Sequence, residues 1–190
     1  FEKQNMLDSA IYYHNASRLV FVELGYNVEI ATSENALGVI YRKMGDSKKG
    51  LEHYKNAYDF AVLENDMPSI CQYAANMAAV QIDLGMLEEA FKNYELALKY
   101  AEEKDIQRVK RQCYDGFANY YEKKGDFKKA LSYRKQYEAI HEKITSEETQ
   151  KAIAQADALF QNTVNQQKIL EQEATIAKEQ EAKAIAEIEK

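Results

Sequence analysis

The chain repeats itself at a fixed distance of 40 residues. A period of that length constrains the fold more than any other feature, because each unit must be one supersecondary element that buries its apolar face against its neighbours. Residues 37–57 read LGVIYRKMGDSKKGLEHYKNA, and forty positions on, residues 77–97 read MAAVQIDLGMLEEAFKNYELA. Gly45 lands on Gly85, Gly50 on Ala90, Tyr54 on Tyr94 and Ala57 on Ala97. A further step reaches FANYYEKKGDFKKALSYRKQY, where Gly125-Asp126 repeat Gly45-Asp46, Ala130 matches Ala90 and Tyr121 matches Tyr41. One step back puts Asn5, Ala10 and Ser17 at the Gly, small and small positions, so the chain is expected to start inside a repeat, with its corner at Asn5.

Each copy carries apolar and small residues at helical spacing on both sides of its Gly corner, as at Leu37, Tyr41, Met44 and then Leu51, Tyr54, Ala57, Tyr58. That pattern predicts a helix, a tight turn and an antiparallel helix. The corner glycine supplies the left-handed conformation that ends a helix, and the small residues Gly50, Ala90 and Ala130 let two backbones approach. Between copies, Asn65-Asp66 followed by Met67-Pro68 predicts a stop and a restart, with Asp66 as N-cap and Pro68 in the first turn. With a single Pro and 7 Gly, little else in the chain breaks helices.

Leu37-Gly38, Tyr41, Gly45-Asp46, Tyr54 and Ala57 together resemble the tetratricopeptide repeat. The other copies depart from that pattern: Ala78 and Ala118 replace the Gly, Gln81 replaces the Tyr, Arg134 stands where an aromatic is expected, and tryptophan is absent throughout. The resemblance implies an all-α fold, an α-α superhelix of antiparallel helix pairs over residues 1–146, with a partial copy at 1–26 and complete copies at about 27–66, 67–105 and 106–146. The period exceeds the usual ~34, which implies helices longer by most of a turn. Such long repeats are similar to those of bacterial peptide-pheromone receptors and of the sensor regions of bacterial signalling proteins, sensor histidine kinases among them.

After Ser146 the composition changes. Residues 147–190 hold no Gly and no Pro, nine Ala, and nine acidic against five basic residues. They predict one long charged helix with its N-terminus at Ser146-Glu147-Glu148. An apolar stripe at sevenfold spacing, Ile153 and Phe160, Ile169 and Ile176, and Leu170, Ala177 and Ala184, is interrupted by Gln166, Gln167 and Glu181, which leaves a coiled-coil homodimer open. Two readings compete. In one, the helix packs on the last repeat through Phe160 or Val164. In the other it is a stalk to an output domain or membrane span after Lys190, as the similar linkers of bacterial sensor kinases imply.

Several classes of chemistry lack a basis. The net charge of −6 offers no basic field for a nucleic-acid backbone. Cys71 and Cys113 follow no CxxC spacing and predict buried thiols. His14, His53 and His141 fall on second helices, none three or four residues from another His or a Cys, so no metal is expected. Lys48-Lys49 after Gly45 lacks phosphate-loop spacing, and no other cofactor or catalytic constellation emerges. No run reaches the ~18 apolar residues of a membrane span, and the first residues, FEKQNMLDSA, look excised from something longer. The compartment stays open, the resemblance leaning towards an extracytoplasmic sensor region.

What remains is a surface. Stacked helix pairs line an inner wall with their first helices. The groove positions of the family fall on Thr32, Asn35, Val39, Arg42 and Lys43; then on Gln72, Ala75, Asn76, Ala79 and Asp83; then on Gln112, Asp115, Asn119, Glu122 and Lys123. The resemblance implies a protein or peptide ligand. Asn35, Asn76 and Asn119 could form a ladder on the backbone of an extended peptide, or be no more than exposed helix residues. Three net hydrogen bonds supply at most about 4.5 kcal/mol, whereas micromolar binding needs about 8. Val39, Ile82, Arg42 and Lys123 are therefore candidate anchors, with Tyr73 and Tyr114 either at the edge of the groove or packed between repeats. The expected function is the sensory or scaffolding region of a larger bacterial signalling protein, not an enzyme. The alternatives are a structural adaptor or an intracellular peptide receptor.

Overall fold

In the computed structural model, which describes the backbone of residues 2–188 and the side chains of 6–173, a left-handed residue recurs every twenty positions. The series is Gly25, Gly45, Asn65, Gly85, Asp105 and Gly125, with φ between 53° and 86°. Each closes a helix in the same way. Gly45 N–H donates to Arg42 O and Asp46 N–H to Tyr41 O, at 3.0 and 2.9 Å, and the other five corners repeat both bonds. The helices so delimited are α1 (Glu2–Leu24), α2 (Asn27–Lys43), α3 (Ser47–Leu63), α4 (Met67–Asp83), α5 (Leu87–Glu103), α6 (Gln107–Lys124) and α7 (Phe127–Ile188). No strand occurs among the described residues.

Three aspartates restart the chain after a corner. Asp46, Asp66 and Asp126 accept the backbone N–H of Lys49, Ser69 and Lys129 at 3.1, 3.3 and 3.1 Å, and Pro68 stands in the first turn of α4, where its missing N–H is not needed. Asp66→Ala removes one such bond without disturbing the left-handed Asn65. We expect it to lower stability by about 1 kcal/mol in urea denaturation, with an unchanged denaturant slope.

Two corrections follow from the same series. Asn5, expected at a corner, lies inside α1. Asn tolerates the left-handed region without demanding it, and no described helix precedes it to be closed. Ser146 does not begin a helix either, since α7 runs through it from Phe127. The twenty-residue series would place its next corner on Thr145, a β-branched residue that strongly disfavours positive φ, so the helix continues.

Residues 1–142 form one unit and 143–190 another. Within the first, small residues one helical turn apart on α3 and α5 receive the next first helix. Ala57 and Ala61 pack with Ile70 and Tyr73 of α4, and Ala97 and Ala101 with Val109, Cys113 and Phe117 of α6. One inter-helix pair varies from copy to copy. Tyr41 stacks on His53 with ring centroids 5.1 Å apart, Tyr121 stacks on Tyr133 at 5.6 Å, and at the corresponding place Gln81 accepts a hydrogen bond from Asn93 at 2.8 Å. The departure at Gln81 is thus matched by its partner. Cys71 and Cys113 are fully buried, and burial raises both thiols above their ordinary range.

In the second unit, Leu159, Phe160, Ile169 and Leu170, with Ile153, are each more than half exposed. The spacing seen at Ile176, Ala177, Glu181 and Ala184 falls on side chains outside the described residues. No described helix is long and apolar enough to cross a membrane.

Candidate functional site

The first helices α2, α4 and α6 bring their polar faces to one wall, and the expected groove residues separate there into two clusters. The first is made of amides. Asn76 Nδ2 donates to Asn35 Oδ1 at 2.8 Å, Gln112 Nε2 donates to Asn76 Oδ1 at 2.8 Å, and Gln72 Nε2 lies 3.0 Å from Gln112 Oε1 and 3.3 Å from Asn76 Oδ1. Three successive first helices are thereby tied by uncharged groups. The cluster leaves the Asn35 N–H donors and Gln72 Oε1 unused within it, so it can still bond an outside chain.

The second cluster centres on Arg134 of α7, the residue that breaks the repeat pattern. Its guanidinium donates to Asp115 Oδ1, to Asn119 Oδ1 at 3.0 Å and to Glu122 Oε1 at 3.1 Å. The bond it donates to Glu122 is the foremost reason its ionisation is pushed above the ordinary value. Asn119 therefore belongs to a charged network, and the three asparagines have different partners within the chain. The reason lies in the register: Asn76 is 41 residues beyond Asn35 and Asn119 is 43 beyond Asn76, so neither step matches the 40-residue period.

Between the clusters lies a cavity of about 570 Å³. Of the expected residues, Arg42, Gln72, Asp83, Gln112, Asp115 and Asn119 line it, with Ala79 and Ile82 as its apolar part. Arg42 Nε donates to Asp83 Oδ2 at 3.0 Å across α2 and α4, both side chains being more than two-fifths exposed. Asn35 and Asn76 sit outside the lining and reach it through the amide cluster, and Val39 is half-buried. Lys43 and Lys123, in the last turns of α2 and α6, are exposed and do not line it. Ala75 is fully buried and presents nothing to the wall. Thr32 spends its hydroxyl on Val28 O of its own helix. Of the two readings of the tyrosines, packing is the one found: Tyr73 is buried with Ala57 and Ala61, while Tyr114 bonds Glu102 at 3.3 Å and lies against the Tyr133 ring.

Five lining residues are new: Tyr94 of α5, Arg108 and Arg111 of α6, and Tyr137 and His141 of α7. The last two had a legible signal. Forty residues earlier their positions are Ala97 and Ala101, and forty before that Ala57 and Ala61. Where four alanines admit the next first helix, α7 carries two rings instead, and these wall the cavity. His141 stacks on Tyr137 with centroids 5.6 Å apart, and its Nδ1 lies 3.4 Å from a terminal nitrogen of Arg111.

No family model matches the chain. Tetratricopeptide repeat protein 29 of Trypanosoma brucei brucei is 32% identical over 124 residues, which are 64% of this chain and 26% of that protein. The chain thus spans about a quarter of the length of this relative. Among solved structures, BtubC (BKLC) from P. vanneervenii superposes with a TM-score of 0.64 at 16% identity, over 76% of this chain and 60% of that one. The tetratricopeptide repeat domain of Arabidopsis FLU superposes with a TM-score of 0.55 at 20% identity, over 60% of this chain and 95% of that one. The fold is accordingly a tetratricopeptide-like α-α superhelix.

Proposed function

We propose that the chain is a protein- or peptide-binding module whose ligand lies along the wall of α2, α4 and α6, and that it serves as the sensory or scaffolding region of a larger signalling protein of bacterial type. One observation carries the binding reading: a cavity of about 570 Å³ flanked by an amide cluster with unused donors and acceptors. A sensory role is supported by Tyr137 and His141, which put part of the lining on α7 itself, so that a ligand preferring one position of α7 would shift its population. An adaptor that assembles a complex without relaying anything is favoured by the cross-ties Arg42–Asp83 and Arg134–Asp115, which oppose a change of curvature.

The test is selection of peptides from a random-sequence display library on the full chain, followed by titration with the double variant Gln72→Ala/Gln112→Ala. Selected peptides are expected to bind at micromolar strength and to lose at least about tenfold in the double variant, the equivalent of two net hydrogen bonds. Failure to select any peptide, or equal affinity in the double variant with its melting temperature preserved, would overturn the reading.

A further inference from the structure

We propose that the α6–α7 end of the cavity is a subsite for an acidic side chain, an Asp or Glu within the bound segment, held by Arg111. The inference rests on the peptide-binding reading and names the chemistry of its ligand.

The first support is the distribution of charge. Both carboxylates in the lining are engaged by other arginines, Asp83 by Arg42 and Asp115 by Arg134. Arg111, half-buried, meets the ring of His141 in one long contact of 3.4 Å, which occupies one of the five donors of its guanidinium. A planar fork of that kind is matched by a carboxylate, which accepts two parallel N–H bonds. Neighbouring Lys110, which could have supplied a point charge, is turned to Asp105.

The second support is where Arg108 and Arg111 stand on their helix. Arg108 stands in the first turn of α6, where the helix dipole disfavours cations, Arg111 follows in the second turn, and the first turn holds no acidic residue. The chain places Glu88 and Glu89 at the corresponding end of α5, as the dipole prefers. Nor does composition account for the pair, since the chain carries a net charge of −6. A local arrangement that opposes helix stability, inside a cavity, fits a site built for an anion.

The third support is the shape of the wall. Tyr137 and His141 replace the alanines that elsewhere receive a helix, so the space beside Arg111 is bounded by rings and left open to a ligand. The lining continues past Arg111 through Gln72 to Arg42 and Asp83, so a segment can pass through rather than end there. This favours a side-chain carboxylate over a chain terminus.

The probe is the set of peptides selected by the full chain from the display library. We expect Asp or Glu to be enriched at one fixed position of these peptides. Changing that residue to Gln or Asn should weaken binding at least about tenfold to the native chain, the range of a charge-assisted bond, and less than about twofold to Arg111→Gln. Arg111→Lys, which keeps the charge and loses the fork, should fall between, and amidating the peptide C-terminus should change nothing. The melting temperature of each variant is measured alongside. Peptides that bind but show no acidic preference, or whose acidic residue is insensitive to both Arg111 variants, overturn the subsite and leave the peptide-binding reading intact. Loss on amidation in place of loss on Glu→Gln overturns the side-chain assignment. If no peptide is selected at all, both readings fall.

Discussion

Replacing Gly116 by alanine is expected to destabilise the chain by about 3 kcal/mol, the upper range for overpacking a fixed site. A Cβ on Gly116 would stand 2.0 Å from Tyr94 Cζ and 2.2 Å from Cε2, and Tyr94, only 2% exposed, is held among Phe117, Cys113 and Ala97. Neither the helix backbone nor the ring can move the required distance without displacing the core that joins α5 to α6. The contact is between copies, so the damage should appear as a weaker interface between the second and third pairs. Equilibrium urea denaturation of Gly116→Ala measures the loss. The cause is checked by combining it with Tyr94→Leu: in that background the added methyl should cost less than about 1 kcal/mol. An equal cost in both backgrounds would place the effect elsewhere.

Glu34→Ala is expected to cost about 3 kcal/mol. The carboxylate, with 4% of its side chain exposed, accepts from His53 Nδ1 at 2.7 Å and Asn56 Nδ2 at 3.2 Å, and lies 3.4 Å from Arg18, so one group joins α1, α2 and α3. Removing it strands Arg18 and His53, which are one-third and one-fifth exposed, hence a value at the lower end for breaking a buried pair. Burial alone would raise the ionisation of Glu34. The bonds from His53 and Asn56, with the charges of His53 and Arg18, outweigh it and hold the group below its ordinary value of 4.5. The unfolded chain therefore takes up the proton first as pH falls. The stabilisation is complete above about pH 4.5 and is lost as pH drops through the folded value. Denaturation at a series of pH values should show a shallower acid limb in Glu34→Gln than in the native chain.

The helix pairs and most corners were legible because they depend on local rules: spacing, a residue able to adopt positive φ, and a capping aspartate. Gly45, Asp66 and Pro68 could be placed from their neighbours alone. Gly116 could not, because its role lies in the next helix. Tyr54 uses the missing side chain of Gly38 on its own first helix, whereas Tyr94, whose counterpart there is Ala78, lies over Gly116 of the following pair. Ala78 thus looks like a lost glycine while the space has moved to a neighbour. Glu34 was invisible for a similar reason, its partners coming from two other helices and its counterparts in the other copies being Ala74 and Tyr114. In the candidate site the wall was legible and its internal bonding was not. Arg42, Asp83, Asp115 and Asn119 reach the cavity, yet which amides pair depends on side-chain directions that spacing does not carry. Tyr137 and His141 were readable against Ala97 and Ala101, because a ring at an alanine position changes what can pack.

The corners at twenty-residue intervals also decide where the chain can change length. One residue inserted within any of α2 to α6 turns everything after it by about 100°, which would carry the alanines of a second helix off the face that meets its neighbour. The same insertion beside a left-handed residue is taken up by the connection and leaves both flanking faces in register. Gly25, Asn65 and Asp105 lie at one end of the helices and Gly45, Gly85 and Gly125 at the other, so growth by insertion is confined to two rims. Between those rims, variation must proceed by substitution alone, and the binding wall can be rewritten residue by residue while its spacing stays the same.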